Sequence, residues 1–226
     1  GIGYDFRTNN DIFLNSLNVK YYTYGMNTHM SSIMSSEAEK VDMLKRDFGI
    51  SNALRYRFTP DFMGKFSVGY DVRLPTESEL LGDGYAVAPS GNLLPERNTS
   101  INLGFLFDRT GKSASNLQLE LNTFYGYLEN MIRFTGGYLQ SQYQNFGKMR
   151  TLGAEVEVKA DLTHWLYGYC NMTYQDLRDV RKFEPNTHVP NPTKGSRMPN
   201  IPYLLANAGL EFHKENLFGG KMQNTR

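Results

Sequence analysis

The sequence of 226 residues has little of what usually reveals a function. It has one cysteine, Cys170, which excludes an internal disulfide framework and a cysteine-rich zinc site. It has no excess of either charge, since 24 basic side chains face 23 acidic ones. A balanced chain lacks both the basic footprint that nucleic acid selects and a polybasic membrane patch, so we expect no nucleic-acid partner.

Catalytic and cofactor motifs are also missing. We find no HExxH, no GxSxG, no Walker loop and no dinucleotide-binding glycine pattern. The stretch "DRTGKS" at 108–113 lacks the first glycine of a phosphate loop, and it favours a hairpin turn. The histidines lie in separate segments without metal-ligand spacing, at His29, His164, His188 and His213. We therefore predict that the chain is not an enzyme and uses no cofactor or metal.

Long apolar runs are absent as well. A membrane helix needs about 20 consecutive apolar residues. The best candidate, "IPYLLANAGL" at 201–210, is too short, and the mean hydropathy is −0.50. This excludes a helical membrane protein. It does not exclude a membrane β-barrel, whose strands are only half apolar and give a weak hydropathy signal.

Period-two alternation is the pattern that is present, which is typical of strands. In "LQLELNTFY" at 117–125, leucines alternate with Gln118, Glu120 and Asn122. In "GAEVEVKA" at 153–160, Val156 and Val158 alternate with acidic and basic residues. The same pattern predicts nine strands, at 1–7, 13–26, 49–58, 62–73, 98–108, 116–133, 150–160, 164–177 and 202–213.

The predicted connections alternate between short turns and long loops. The long ones cover 27–48, 74–97, 134–149 and 178–201. Compact soluble domains rarely hold four such loops, whereas long loops on one side and tight turns on the other are typical of outer-membrane barrels. In the first long loop, Ser36 and Glu39 have capping-box spacing, which predicts a short helix there.

Alternation alone leaves two architectures open. A soluble sandwich or barrel turns the apolar face inward, and a membrane barrel turns it outward against lipid. Charges of both signs on the polar face favour the membrane barrel. Aromatic residues near the strand ends favour it too, because they suit the girdles at the membrane interfaces. These aromatics include Tyr21, Tyr24, Phe105, Phe107, Tyr125, Tyr127, Trp165 and Tyr167.

Four segments resemble the outer-membrane TonB-dependent receptors, in the same order along the chain. The first is "RLPTESELLGDG" at 73–84 with "GNLLPERNTSINLGF" at 91–105, in which a strand ends in Arg-x-Pro-Thr and a Pro-Glu segment enters the next strand. The others are "NTFYGYLENMIRF", "YQNFGKMRTLGAEVEVKADLTHWLYGYCNMTYQDL" and "GSRMPNIPYLLANAGLEF". Tight "TPDF" turns and tyrosine-rich strands are similar to those of receptors from the Bacteroides group.

The resemblance implies an all-β fold, an antiparallel meander forming part of a transmembrane β-barrel with long extracellular loops and short periplasmic turns. It implies a place in the outer membrane of a Gram-negative bacterium and the uptake of a scarce extracellular nutrient. The implied partners are the outer-membrane lipid, the nutrient, and the TonB complex, which acts through an N-terminal region. We expect residues 1–226 to be a single barrel segment without the plug domain and TonB box. The alternative is a soluble β-rich binding or structural module.

The stretch "RLPT" suggests a role for its arginine. Pro75 cannot donate to a strand ladder, so pairing should stop there. We expect Arg73 to bind a carboxylate of the following loop, Glu77, Glu79 or Glu96, and to anchor that loop. The full set of candidates for anchoring the loop or lining the substrate pathway is Asp71, Arg73, Glu79, Asp83, Tyr85, Glu96, Tyr138 and Tyr143.

The number of strands raises a further expectation. About eight to nine strands do not complete the 22-stranded barrel of this family, and open edges expose unpaired backbone groups. We therefore expect one of three outcomes for the segment: closure into a smaller barrel, edge-to-edge pairing with a second copy, or cover by parts outside these residues.

Overall fold

The computed structural model describes residues 1–8, 10–30, 39–83, 85–109, 116–137, 140–184, 187–212, 214–215 and 224–225. Most of this part of the chain is in β-strands. The long strands are β1 (Ile2–Arg7), β2 (Phe13–Met30), β3 (Glu39–Thr59), β4 (Phe62–Arg73), β6 (Glu96–Asp108), β7 (Leu117–Thr135), β8 (Ser141–Thr163), β9 (Leu166–Asp179) and β10 (Leu204–Phe212). The remaining elements are α1 (Glu77–Leu81), β5 (Val87–Ala88), β11 (Lys214–Glu215) and β12 (Asn224–Thr225).

The long strands form the predicted meander. Their order in the sheet is β1-β2-β3-β4-β6-β7-β8-β9-β10, and every neighbouring pair on this path is antiparallel. One pair departs from the prediction. The two-residue strand β5 lies off the path and pairs with β8 in parallel, Val87 beside Ser141. It can do so because it belongs to a loop that folds back over β8, not to a hairpin.

The helix predicted in the first long loop is wrong for its described part. Ser36 lies outside the described residues, but Glu39 to Leu44 are the first residues of β3, where they pair with β2. Cross-strand pairing over 18 residues of β2 outweighs the local capping signal. The helix that does form is α1, in the next loop. No helix among the described residues is long and apolar enough to cross a membrane.

The exposure of the sheet's two faces is the inverse of that in a soluble protein. On β7, Leu117, Leu119 and Leu121 expose 38%, 42% and 36% of their surface, while Glu120 and Asn122 between them are half-buried. We call the apolar face that carries these leucines the outer face, and the opposite, polar face the inner face. Apolar side chains that point away from the polar side are the arrangement of a membrane barrel wall. The soluble alternative, in which they would meet in one closed core, is therefore wrong.

Aromatic rings cluster at both ends of the outer face. At the end with the short turns, the rings of Tyr56 and Phe58 lie 5.0 Å apart, and Phe58 stacks on Phe62 at 5.3 Å. At the other end, Phe48 and Tyr70 are 5.7 Å apart. Rows of aromatics at the two limits of an apolar band are typical of the two membrane interfaces of a barrel.

We call the end of the sheet opposite the short turns the rim. There β4 ends at Arg73, β7 at Thr135 and β9 at Asp179. Two of the predicted long loops are mostly strand, because β2 reaches Met30 and β8 begins at Ser141. The hairpins therefore rise beyond the apolar band. The segments after β4 and after β9 stay largely irregular, and both fold back against the rim.

The outer strands β1 and β10 each pair on one side only within the described part of the chain. Of the three outcomes expected for these edges, closure into a smaller barrel is wrong for the described residues, because the strand order does not return from β10 to β1. Pairing with a second copy, or with chain outside these residues, stays a prediction.

Candidate functional site

The first feature of the rim is the ion-pair group of Arg73 with Glu79 and Glu96. Arg73 is the last residue of β4, and its Nε lies 2.6 Å from Glu96 Oε2. Its Nη1 lies 3.1 Å from Glu79 Oε2. The structure thus brings Arg73 together with two of the three carboxylates named from the sequence. Glu96 starts β6, so the guanidinium of the last residue before the loop contacts both a residue within the loop and the first residue after it.

Glu79 is held in place by its own helix. Thr76 caps α1, its hydroxyl accepts a hydrogen bond from Glu79 N, and the Glu79 carboxylate accepts one from Thr76 N in return. Burial raises the pKa of Glu79, but the hydrogen bonds from Arg73 and from Thr76 N outweigh it and leave that pKa below its ordinary value. The hydrogen bond to Glu96 in turn raises the pKa of Arg73. Both shifts favour the charged forms of Glu79 and Arg73 at neutral pH.

The loop from 74 to 95 also has a small hydrophobic core. Leu80 of α1, Leu93 and Ile132 of β7 are buried against one another, and Tyr143 packs against them. Glu96 joins this core to the ion pairs, since its second oxygen accepts a hydrogen bond from Ile132 N at 2.7 Å. Three of the four buried apolar side chains among the described residues belong to this core, and the fourth is Val72 of β4.

Asn145 of β8 binds the backbone of the same loop. Its Oδ1 accepts a hydrogen bond from Leu94 N at 2.7 Å, and its Nδ2 donates to Leu94 O at 2.9 Å. The same Nδ2 lies 2.7 Å from the carbonyl oxygen of Asn130, a residue with φ of 55° at an irregularity in β7. An amide side chain that satisfies both backbone groups of one residue acts as a substitute strand partner. Sequence reasoning did not find Asn145.

The remaining candidates have varied surroundings. Asp71 lies 3.7 Å from Lys20 across β3, on the inner face. Asp83 accepts hydrogen bonds from Val87 N and Tyr85 N, which lower its pKa and shape the turn. The Tyr85 side chain is 78% exposed. Tyr138 lies outside the described residues.

A second polar cluster holds the loop after β9. Arg181 is buried, and its Nε lies 3.0 Å from each oxygen of Asp179, which also accepts a hydrogen bond from Asn191. Burial raises the pKa of Asp179, but the side-chain and backbone hydrogen bonds from Arg181 outweigh it and lower that pKa to about 2. The guanidinium also lies 3.8 Å from the ring centre of Phe146. Gly147 has φ of 127°, and a Cβ there would overlap Arg181 Cδ.

Below the rim, the inner face carries ion pairs that reach across strands. Lys65 Nζ of β4 lies 3.0 Å from Glu120 Oε1 of β7, across β6. Gly104 stands between them in the ladder, beside both Lys65 and Asn122, and a Cβ there would overlap Asn122 Oδ1. The inner face therefore offers a polar surface of mixed sign. No group of three or more potential metal ligands occurs among the described residues.

A model of the family described as TonB dependent receptor-like, beta-barrel matches residues 16–224. The chain belongs to this family. Members of this TonB-dependent receptor family are nutrient-uptake receptors of the Gram-negative outer membrane. No curated protein sequence matches the chain.

Solved structures match the same sheet. The FrpB iron transporter from Neisseria meningitidis has a TM-score of 0.65 at 13% identity, over 91% of this chain and 29% of the transporter. The copper transporter OprC has a TM-score of 0.64 at 17% identity, over 90% of this chain and 30% of the transporter. The ferric yersiniabactin uptake receptor FyuA from Yersinia pestis has a TM-score of 0.63 at 17% identity, over 92% of this chain and 30% of the receptor. At such identities the likeness concerns the fold, and the chain spans about a third of each structure.

Proposed function

We propose that this chain is part of the barrel wall, with its extracellular loops, of a TonB-energised receptor that imports a scarce nutrient across the outer membrane. The observation that carries the proposal is the outward apolar face with its two aromatic rows. That face suits a lipid environment, and the polar inner face suits the lining of a transport path. Family members are transport receptors and not enzymes, which agrees with this reading.

The rim groups have a defined part in the proposal. Arg73, with Glu79 and Glu96, anchors the loop from 74 to 95 to the top of the wall, and Asn145 fixes the same loop to β8. A loop fixed at both ends presents Asp83 and the exposed Tyr85 in a constant place. An aromatic ring and a carboxylate at the mouth of the barrel are groups that a sugar or a metal chelate can contact.

The structural neighbours suggest which nutrients to test first. They include an iron transporter, a copper transporter, a receptor for ferric yersiniabactin, and the hemophore receptor HasR of Serratia marcescens in complex with its hemophore and heme. The mixed signs of the inner face favour neither an anionic chelate nor a neutral glycan. The panel should therefore hold ferric siderophores, heme, copper and oligosaccharides.

The test compares uptake with and without energy coupling. The gene that encodes this chain is deleted, and growth and uptake are measured with each nutrient of the panel as the limiting one, in cells with and without a functional TonB complex. The proposal expects one nutrient whose uptake needs both this gene and TonB. Uptake that needs the gene but persists without TonB would indicate a passive pore and contradict the proposal. Calorimetry of the purified receptor with that nutrient then measures binding separately from transport.

A further inference from the structure

The outer face of β8 and β9 changes abruptly from apolar to cationic near the rim. On β8, alternate residues from Leu162 to Leu152 are apolar without interruption, and the next residue on that face is Arg150. On β9, the outer face runs through Met172 and Tyr174, whose side chains are exposed, and then reaches Asp176 and Arg178. The charges are therefore on the outside of the wall, not on the inner face.

The length of the apolar run gives the height of these charges. Ten residue steps from Leu162 to Leu152 make about 33 Å of strand, or about 25 Å at a tilt of about 40°. This is the height of the apolar band of an outer-membrane barrel. Tyr127, which is level with Arg150 in the ladder, and Tyr174 mark the upper interface. The charges lie at this interface and just above it, at the level of lipid headgroups.

Three arginines surround one carboxylate at this level. The Nε atoms of Arg178 and Arg197 lie 2.7 and 2.8 Å from Asp176, and Arg150 lies 4.0 Å from it. Asp176 is buried beneath them, while the three arginines stay about two-fifths exposed. Arg150 Nε is buried and, among the described residues, has no hydrogen-bond partner. Arg178 Nη1 also donates to Gly195 O at 3.0 Å, and Arg197 Nη2 donates to the Tyr174 hydroxyl at 3.2 Å. Three positive charges against one negative charge nevertheless leave the cluster cationic.

We propose that Arg150, Arg178 and Arg197 form a site for a phosphate group of an outer-leaflet lipid. Guanidinium groups present planar pairs of donors that match phosphate oxygens. A site on the outer face, directly above an apolar band, meets a headgroup whose acyl chains run down along Leu152 and Met172. The nearby Lys148 is already paired with Glu129 and leaves no comparable excess charge. This inference rests on the membrane placement in the proposed function, but not on transport.

The test measures lipid binding to the complete receptor that contains this chain, purified in a non-ionic detergent. Native mass spectrometry compares diphosphoryl lipid A, its monophosphoryl form and its fully dephosphorylated form. Arg150→Gln is the first variant, because its 4.0 Å ion pair with Asp176 is the longest of the three in the cluster. The double variant with Arg197→Gln is the second. Arg109→Gln, an exposed arginine at the turn end of β6, is the control.

We expect diphosphoryl lipid A to bind wild type and the Arg109→Gln control alike. The affinity for diphosphoryl lipid A should fall about tenfold in the single variant, because one charge-assisted contact is lost. It should fall further in the double variant, which loses two such contacts. Arg150→Lys should recover part of the loss. Heat-modifiable migration in gels shows that each variant is folded. Equal binding of the dephosphorylated lipid, unchanged binding by the folded double variant, or full displacement of the lipid by inorganic phosphate would each overturn the proposal.

Discussion

Substitution of Arg73 by alanine removes the guanidinium that contacts Glu79 within the loop from 74 to 95 and Glu96 at the end of that loop. The loss leaves Glu79 and Glu96 without their shared cation, although their side chains are only 13% and 14% exposed. Two like charges then lie side by side at the rim, one of them close to the hydrophobic core around Leu80. We expect the loop to open locally while the strands below it stay paired.

The size of this effect follows from the contacts. A hydrogen bond to a charged group contributes about 1.5–3 kcal/mol. The Arg73 side chain is 44% exposed, so solvent screening reduces the sum of its two ion pairs to about 1–2 kcal/mol. This free energy of local opening corresponds to a factor of roughly 5 to 30 in the population of the open loop.

Hydrogen exchange measures that population directly. The reporters are Leu80 N, bound to Thr76 O at 3.1 Å, and Ser90 N, bound to Leu80 O at 2.7 Å. Their exchange should accelerate by the same factor in Arg73→Ala and stay constant in Arg46→Ala, a control at an exposed arginine of β3. Unchanged exchange at both reporters, with unchanged stability of the barrel, would refute the anchoring role.

Three further predictions concern the rim. The pKa of Asp179 in the folded protein is about 2, below its ordinary value of 3.8. The ionised Asp179 therefore stabilises the fold by about 2 kcal/mol above about pH 4, and this contribution is lost as the pH falls through 2. Unfolding of Asp179→Asn should lack this acid dependence. Asn145→Ala should speed exchange at Leu94 N roughly tenfold, and equal rates would contradict the clamp. Gly147→Ala should lower stability by about 1–3 kcal/mol, because alanine is strained at this φ and its Cβ would overlap Arg181. An unchanged melting temperature would show that the loop adapts.

The positions of the strands, and the face on which each side chain lies, could be predicted from the sequence because both depend on local alternation. The two faces of β7 follow directly from the alternation around Glu120, and β4 has the predicted bounds, Phe62–Arg73. The strand ends near the rim could not be predicted in the same way. Above the apolar band both faces can be polar, so alternation fades although pairing continues, as it does where β8 begins at Ser141.

In the candidate site, too, contacts that depend on a local pattern could be predicted, and contacts between distant segments could not. Arg73 and its carboxylates were predicted because a strand that ends before Pro75 leaves a charged residue at a known place. The capping box of Thr76 and Glu79 could have been predicted from the spacing in "TESE". Asn145 and Arg181 could not be found, because their partners lie in other loops and are brought near only by the sheet. The arginine cluster around Asp176 was missed for the same reason.

The central claim, that the apolar face of this sheet meets lipid and the polar face does not, has one direct test. Leu121 and Asn122 are neighbours on opposite faces of β7, near the middle of the apolar band between Leu117 and Tyr127. The complete receptor is refolded into phospholipid vesicles, and the free energy of unfolding is measured for Leu121→Arg and for Asn122→Arg. The account predicts a loss of about 2–4 kcal/mol for Leu121→Arg and of less than about 1 kcal/mol for Asn122→Arg. Equal losses, or a larger loss for Asn122→Arg, would contradict it.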